Sequence, residues 1–181
     1  YTYRGKKYKM GTHGFAHKCV FDLVEATPDS VMLTLSSSDV TRECYPFDFL
    51  LTARFSVQSG ALSAQFTVKN ESSERMPYML GWHPGFVLEG EGEIGSFSLD
   101  LFRDSLTLHP LQNSSYVGDR TEPYPLVGRR YALNEDEIYS MDTLVFTGTA
   151  HQARLVGEEA AHSVHFSWSE NLPYLCVWKS A

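Results

Sequence analysis

"FDFLLTARFSVQSGALSAQFTVK", Phe47 to Lys69, decides the fold. Phe47, Phe49, Leu51, Ala53, Phe55 and Val57 share one face of an extended chain, while Asp48, Thr52, Arg54 and Ser56 lie on the other with Leu50. Successive side chains of a strand point to opposite faces, so this period of two describes a long half-buried strand. Ser59-Gly60 then supplies a tight turn, and Leu62, Ala64, Phe66 and Val68 alternate with Ser63, Gln65, Thr67 and Lys69 on the way back. Two alternating runs across a two-residue turn containing glycine predict a β-hairpin.

The same period recurs on both sides of this hairpin. "CVFDLVEA" and "VMLTLS" flank Thr27-Pro28-Asp29-Ser30, and "ARLVG" and "SVHFSW" flank the acidic Glu158-Glu159 segment. Further strands are predicted at "FSLDL", "TLVF" and "YLCVW". A helical period is nearly absent. "NEDEIYS" is the exception, with Asn134 placed to cap a short helix and Glu137 three residues on, as a capping box requires. Residues 112–130, rich in Gly, Pro, Ser and charge, are expected to form a long surface loop of the kind that rims a site. The chain is therefore expected to be all-β, a large antiparallel β-sandwich forming a single domain over residues 1–181.

Composition narrows the function. A chain of 181 residues with 43% hydrophobic and 20% charged residues has enough apolar side chain for a real core. It holds no run of about eighteen apolar residues, and "YTYRGKKYKM" lacks the layout of a secretory signal, so neither a membrane span nor export is predicted. Three widely spaced cysteines, Cys19, Cys44 and Cys176, match neither a disulfide framework nor a thiolate metal site, and a reducing, cytoplasmic setting is the expectation. A formal net charge of −7 opposes phosphate binding, which excludes nucleic acid as the expected partner.

Seven histidines supply the candidates for chemistry. "MLGWHPGF" holds His83 between Trp82 and Pro84, and "MGTHGFAHK" holds His13 in a second bend. Each is followed closely by glycine and an aromatic residue. Pro84 fixes its own φ and restricts the residue before it, so His83 has little backbone freedom. An imidazole is the natural group for proton transfer near neutral pH, although a histidine in an aromatic turn more often simply packs. Metal ligation is not predicted: helical ligand geometry is improbable for His13 and His17 across "HGFAH", and the alternation in "HSVH" turns His165 toward solvent. His109 and His151 read as ordinary surface residues. Asp142, at the entry to the apolar strand "TLVF", needs polar partners, and either a backbone turn or a polyhydroxylated ligand would provide them. Trp82, Trp168 and Trp178 suit stacking on sugar C–H faces, as well as simple core packing.

"GKKYKMGTHGFAH" followed by "MPYMLGWHPGF" resembles the aldose 1-epimerase (galactose mutarotase-like) family, in particular its bacterial LacX-like branch. "YPFDFLLTARFSV", "MDTLVF" and "LPYLCVW" are similar to that family in the same order. The resemblance implies a β-supersandwich, of which this chain would be a central portion truncated at both ends. It also implies a cytoplasmic isomerase that interconverts α and β anomers of a hexose or related aldose without metal or cofactor. His83 would be the general acid that protonates the ring oxygen, His13 a second hydrogen-bonding group on that oxygen, and Asp142 the anchor of a sugar hydroxyl. Trp82 lies beside this site, and His17 takes a substrate-side position where related chains commonly carry an arginine. The base would be a glutamate on a late strand, beyond Ala181; neither Glu158 nor Glu170 stands in a matching context. The rival readings are a non-catalytic carbohydrate-binding β-sandwich that lacks the base, and a structural sandwich whose histidines only pack.

Overall fold

The computed structural model describes residues 1–88, 94–112, 116–133, 143–158 and 162–178. The chain divides into two compact units, Tyr1–Leu80 and Gly81–Ala181.

The first unit begins with a small hairpin, β1 (Thr2–Tyr3) and β2 (Lys6–Lys7), turned by Arg4-Gly5. Its body is one antiparallel sheet of β3 (Asp22–Thr27), β4 (Ser30–Ser36), β5 (Phe49–Gln58) and β6 (Ala61–Asn70), in that order. The predicted hairpin is β5 and β6, with Gln58 opposite Ala61 and Phe49 opposite Asn70. Ser59 and Gly60 both have positive φ, 51° and 77°, the pair of left-handed residues whose twist matches the flanking strands. Phe49, Leu51 and Ala53 are buried as the alternation requires, and Arg54 is exposed. Leu35, Phe47, Phe49, Leu51 and Met76 form the core of this unit. Burial of each phenylalanine there contributes about 1.5–3 kcal/mol.

A six-residue helix, α1 (Asp39–Cys44), connects β4 to β5 and is not evident in the pattern of the sequence. Ser38 caps it: its Oγ accepts from the Thr41 N–H at 3.3 Å, while its own N–H donates to Thr41 Oγ1 at 2.8 Å. Threonine stands where a capping box usually has Glu or Gln, so the usual signature is missing while the same two backbone donors are satisfied. Arg42 ties the end of the helix to Asp48 at 2.7 Å.

The second unit is a sandwich. In chain order it contains β7 (Phe97–Asp100), β8 (Ser105–Leu108), β9 (Leu111–Gln112), β10 (Tyr116–Val117), β11 (Glu122–Pro125), β12 (Arg130–Ala132), β13 (Thr143–Thr147), β14 (Gln152–Gly157), β15 (Val164–Ser167) and β16 (Leu175–Trp178). One sheet has the order β12-β7-β14-β15 and the other β11-β8-β13-β16, while β9 and β10 pair separately. Successive strands thus take equivalent places in opposite sheets: β7 and β8, β11 and β12, β13 and β14, β15 and β16. Phe97 and Ala153 from one sheet meet Leu108, Leu144, Phe146 and Val177 from the other in a single core.

Three expectations need correction. Residues 112–130 are not one long loop, because β11 pairs with β8 from Glu122 opposite Leu108 to Pro125 opposite Ser105. Pro123 and Pro125 are tolerated because β11 is an edge strand and needs no second ladder of N–H donors. His109 is half-buried, its Nε2 lying 2.8 Å from Thr147 Oγ1 and its ring 5.5 Å from that of Tyr174. His151 is half-buried too, with a left-handed φ of 54° and its ring 6.1 Å from that of Trp168. The helix expected at "NEDEIYS" lies outside the described residues.

Candidate functional site

In the first unit, His13 occupies a tight turn closed by the Gly14 N–H donating to Gly11 O at 3.0 Å. Gly14 carries a φ of 71°, a conformation in which a side chain would be strained, so this glycine sets the direction of the chain after His13. That direction leads Phe15 into the core. Its ring lies 5.5 Å from Tyr45 and 5.6 Å from Phe49, and Tyr45 and Phe49 in turn meet at 5.8 Å. Burial pushes the Tyr45 phenol up to about 12 from its ordinary 10, and the protonated hydroxyl donates to Pro77 O at 2.8 Å.

A 3₁₀ turn over Ala16–Lys18 follows and brings His17 back beside His13, their rings 6.1 Å apart and nearly perpendicular at 86°. The two imidazoles do meet, through a turn and a single 3₁₀ loop rather than a helix. Both are exposed. Among the described residues no group of three or more His, Cys, Asp or Glu side chains is placed to hold a metal ion.

In the second unit, His83 stands on an irregular segment secured at several points. Leu88 packs against the sandwich core, and the Phe86 ring meets Phe166 of β15 at 4.9 Å and 77°. The His83 ring meets Trp178 of β16 at 5.5 Å and 84°. β15 and β16 are the edge strands of opposite sheets, so the segment from His83 to Phe86 touches the rim of both layers. Trp82 is 48% exposed and Trp178 53%, which leaves aromatic surface available beside the imidazole.

Within its own unit, each motif histidine is followed two or three residues later by a phenylalanine that packs against other aromatic rings: Phe15 after His13, and Phe86 after His83. Asp142 lies outside the described residues; the next residue, Thr143, pairs with Trp178. The sequence marks Trp178 only as one of three tryptophans suited to stacking or packing, not as a neighbour of His83. Its signal was the alternation in "YLCVW": Val177 points into the core, so Trp178 must face away from it.

A family model described as aldose 1-epimerase matches residues 1–180. The chain belongs to the aldose 1-epimerase family. It is similar to the plasmid LacX protein of Lactococcus lactis subsp. lactis, 31% identical over 83 residues that cover 44% of this chain and 28% of LacX. Among solved structures it resembles a galactose mutarotase related enzyme from Lactobacillus acidophilus, with a TM-score of 0.88 and 26% identity over 98% of this chain and 60% of that one. A galactose mutarotase-like protein from Lactobacillus casei ATCC 334 gives a TM-score of 0.87 and 25% identity over 98% of this chain and 62% of that one. The fold is accordingly all-β, of the galactose mutarotase-like β-sandwich class. The chain spans about three fifths of the length of these two structures. Among the described residues no helix is long and apolar enough to cross a membrane.

Proposed function

We propose that this member of the aldose 1-epimerase family belongs to a cytoplasmic isomerase that interconverts the α and β anomers of a hexose or related aldose, and that residues 1–181 belong to one mutarotase-like domain. The observation that carries the reading is His83 on its irregular segment, seated against Trp178 and followed by the Phe86 anchor, in a chain matched by the family over residues 1–180.

The reaction needs little apparatus. A proton leaves the anomeric hydroxyl, the bond from C1 to the ring oxygen breaks, and the ring oxygen receives a proton, giving the open aldehyde. Rotation about the C1–C2 bond exposes the other face of the carbonyl, and the same steps in reverse close the ring. His83 delivers the proton to the ring oxygen, a transfer for which an imidazole is the natural group. His13 hydrogen-bonds the ring oxygen, Asp142 holds a hydroxyl, and Trp82 and His17 contact the substrate. The proton at O1 passes to a carboxylate base, for which no residue of these 181 is assigned. No cofactor, metal or covalent intermediate takes part.

The test is anomer exchange of freshly dissolved α-D-galactose and α-D-glucose by the full-length protein, followed by polarimetry. His83→Asn is expected to reduce exchange by about 10²–10⁴-fold, the range of general acid catalysis, while leaving the far-UV spectrum unchanged. Undiminished exchange in that variant overturns the assignment of the acid. Saturable sugar binding with no acceleration by the wild type points instead to the carbohydrate-binding reading.

A further inference from the structure

We propose that Trp178 is a positioning residue that holds the imidazole of His83 in the orientation required for proton delivery; the inference rests on the function proposed above. Pro84 limits the backbone at His83 but not its two side-chain torsions. Of the rotamers open to an imidazole, only those aimed at the ring oxygen are productive. The Trp178 ring, nearly perpendicular to His83 at a centroid separation of 5.5 Å, selects among them in the edge-to-face geometry that aromatic pairs prefer.

Two independent features place Trp178 for this role. First, it sits at the end of β16 with Val177 turned into the core, so the indole is fixed by the strand while its ring stays 53% exposed and contributes little to the sandwich interior. Secondly, β16 pairs with β13 such that Trp178 lies opposite Thr143, the residue after the proposed substrate anchor Asp142. The indole therefore stands where the segment bearing the acid meets the strand that follows the anchor. A tryptophan needed only for packing would point the other way along this strand, as Val177 does.

The full-length protein is compared with Trp178→Phe and Trp178→Ala. Removing the ring is expected to lower kcat for anomer exchange by up to about tenfold, the scale of one aromatic pair, with KM nearly unchanged. Phe is expected to restore most of the loss, because it keeps a face or edge for the imidazole. A rise in KM at constant kcat would overturn the proposal and make Trp178 a sugar-stacking wall; unchanged kinetics in both variants would overturn it as well. The NMR signals of the His83 ring protons report the contact without turnover. Their displacement in Trp178→Ala is expected even if His83→Asn shows that the acid has been misassigned, whereas unmoved signals in a folded Trp178→Ala protein refute the contact itself.

Discussion

The two units solve one problem, how to hold a histidine on an irregular segment, with different resources. In Tyr1–Leu80 a single sheet must supply the core, and it does so at one end, around Phe47 and Phe49, while Leu23, Val57 and Leu62 farther along remain more than half exposed. The anchor of His13, Phe15, goes directly into that aromatic cluster. In Gly81–Ala181 two sheets enclose a larger core between them, and the anchors of the His83 segment rest on the edge strands. The His13 turn is thus coupled to the core of its unit through Phe15, while the His83 segment rests mainly on edge strands and reaches the sandwich core only through Leu88.

The largest expected effect tests that separation. Phe47→Ala and Phe146→Ala each remove a fully buried ring, one per unit, and each is expected to cost about 3–5 kcal/mol. All three tryptophans, Trp82, Trp168 and Trp178, lie in the second unit, so their fluorescence reports it selectively. In urea titrations Phe146→Ala should shift the fluorescence transition strongly, whereas Phe47→Ala should shift the far-UV circular dichroism transition more than the fluorescence one. Coincident shifts in both probes for both variants would show that the units unfold as one and break the comparison.

A smaller effect sharpens it on the first unit. The Tyr45 phenol, raised to about 12 by burial, stays protonated in the folded chain while the unfolded chain ionises near 10. The folded state binds the extra proton, so this contribution is fully present below pH 10 and is lost as pH rises through about 12. Wild type is therefore expected to lose more stability than Tyr45→Phe between pH 9 and about 11.5, read as urea midpoints. Equal losses would mean that the half-buried Tyr45 phenol is not held against Phe15.

Much of this was legible because it is local. Alternation fixed β5 and β6, and Ser59-Gly60 announced their turn. The glycine and aromatic flanks of His13 and His83 marked both, and the structure gives a physical reason: Gly14 redirects the chain after His13, and Phe15 and Phe86 each pack against other aromatic rings. Other features escaped for physical causes. The Thr41 cap replaces the side chain that usually signals a helix start, and two prolines disguise an edge strand that tolerates them. His109 looked like a surface residue because Thr147, which bonds it, lies on a different strand. Trp178 reaches His83 only through the assembly of the sandwich, which no local pattern records.

The alternation of successive strands between sheets in the second unit also sets the order of events in folding. In the first unit, every ladder of the main sheet joins consecutive strands, so each forms by closing a short stretch of chain. In the second, apart from β14 with β15 and the small β9–β10 pair, ladders join strands separated by others, and long loops must close before any hydrogen bond rewards them. The β4–β5–β6 meander is thus the natural early structure, already within reach while the rest of the chain is still being synthesised. Pulsed hydrogen exchange during refolding should protect the amides of β5 before those of β13, and the reverse order would contradict it.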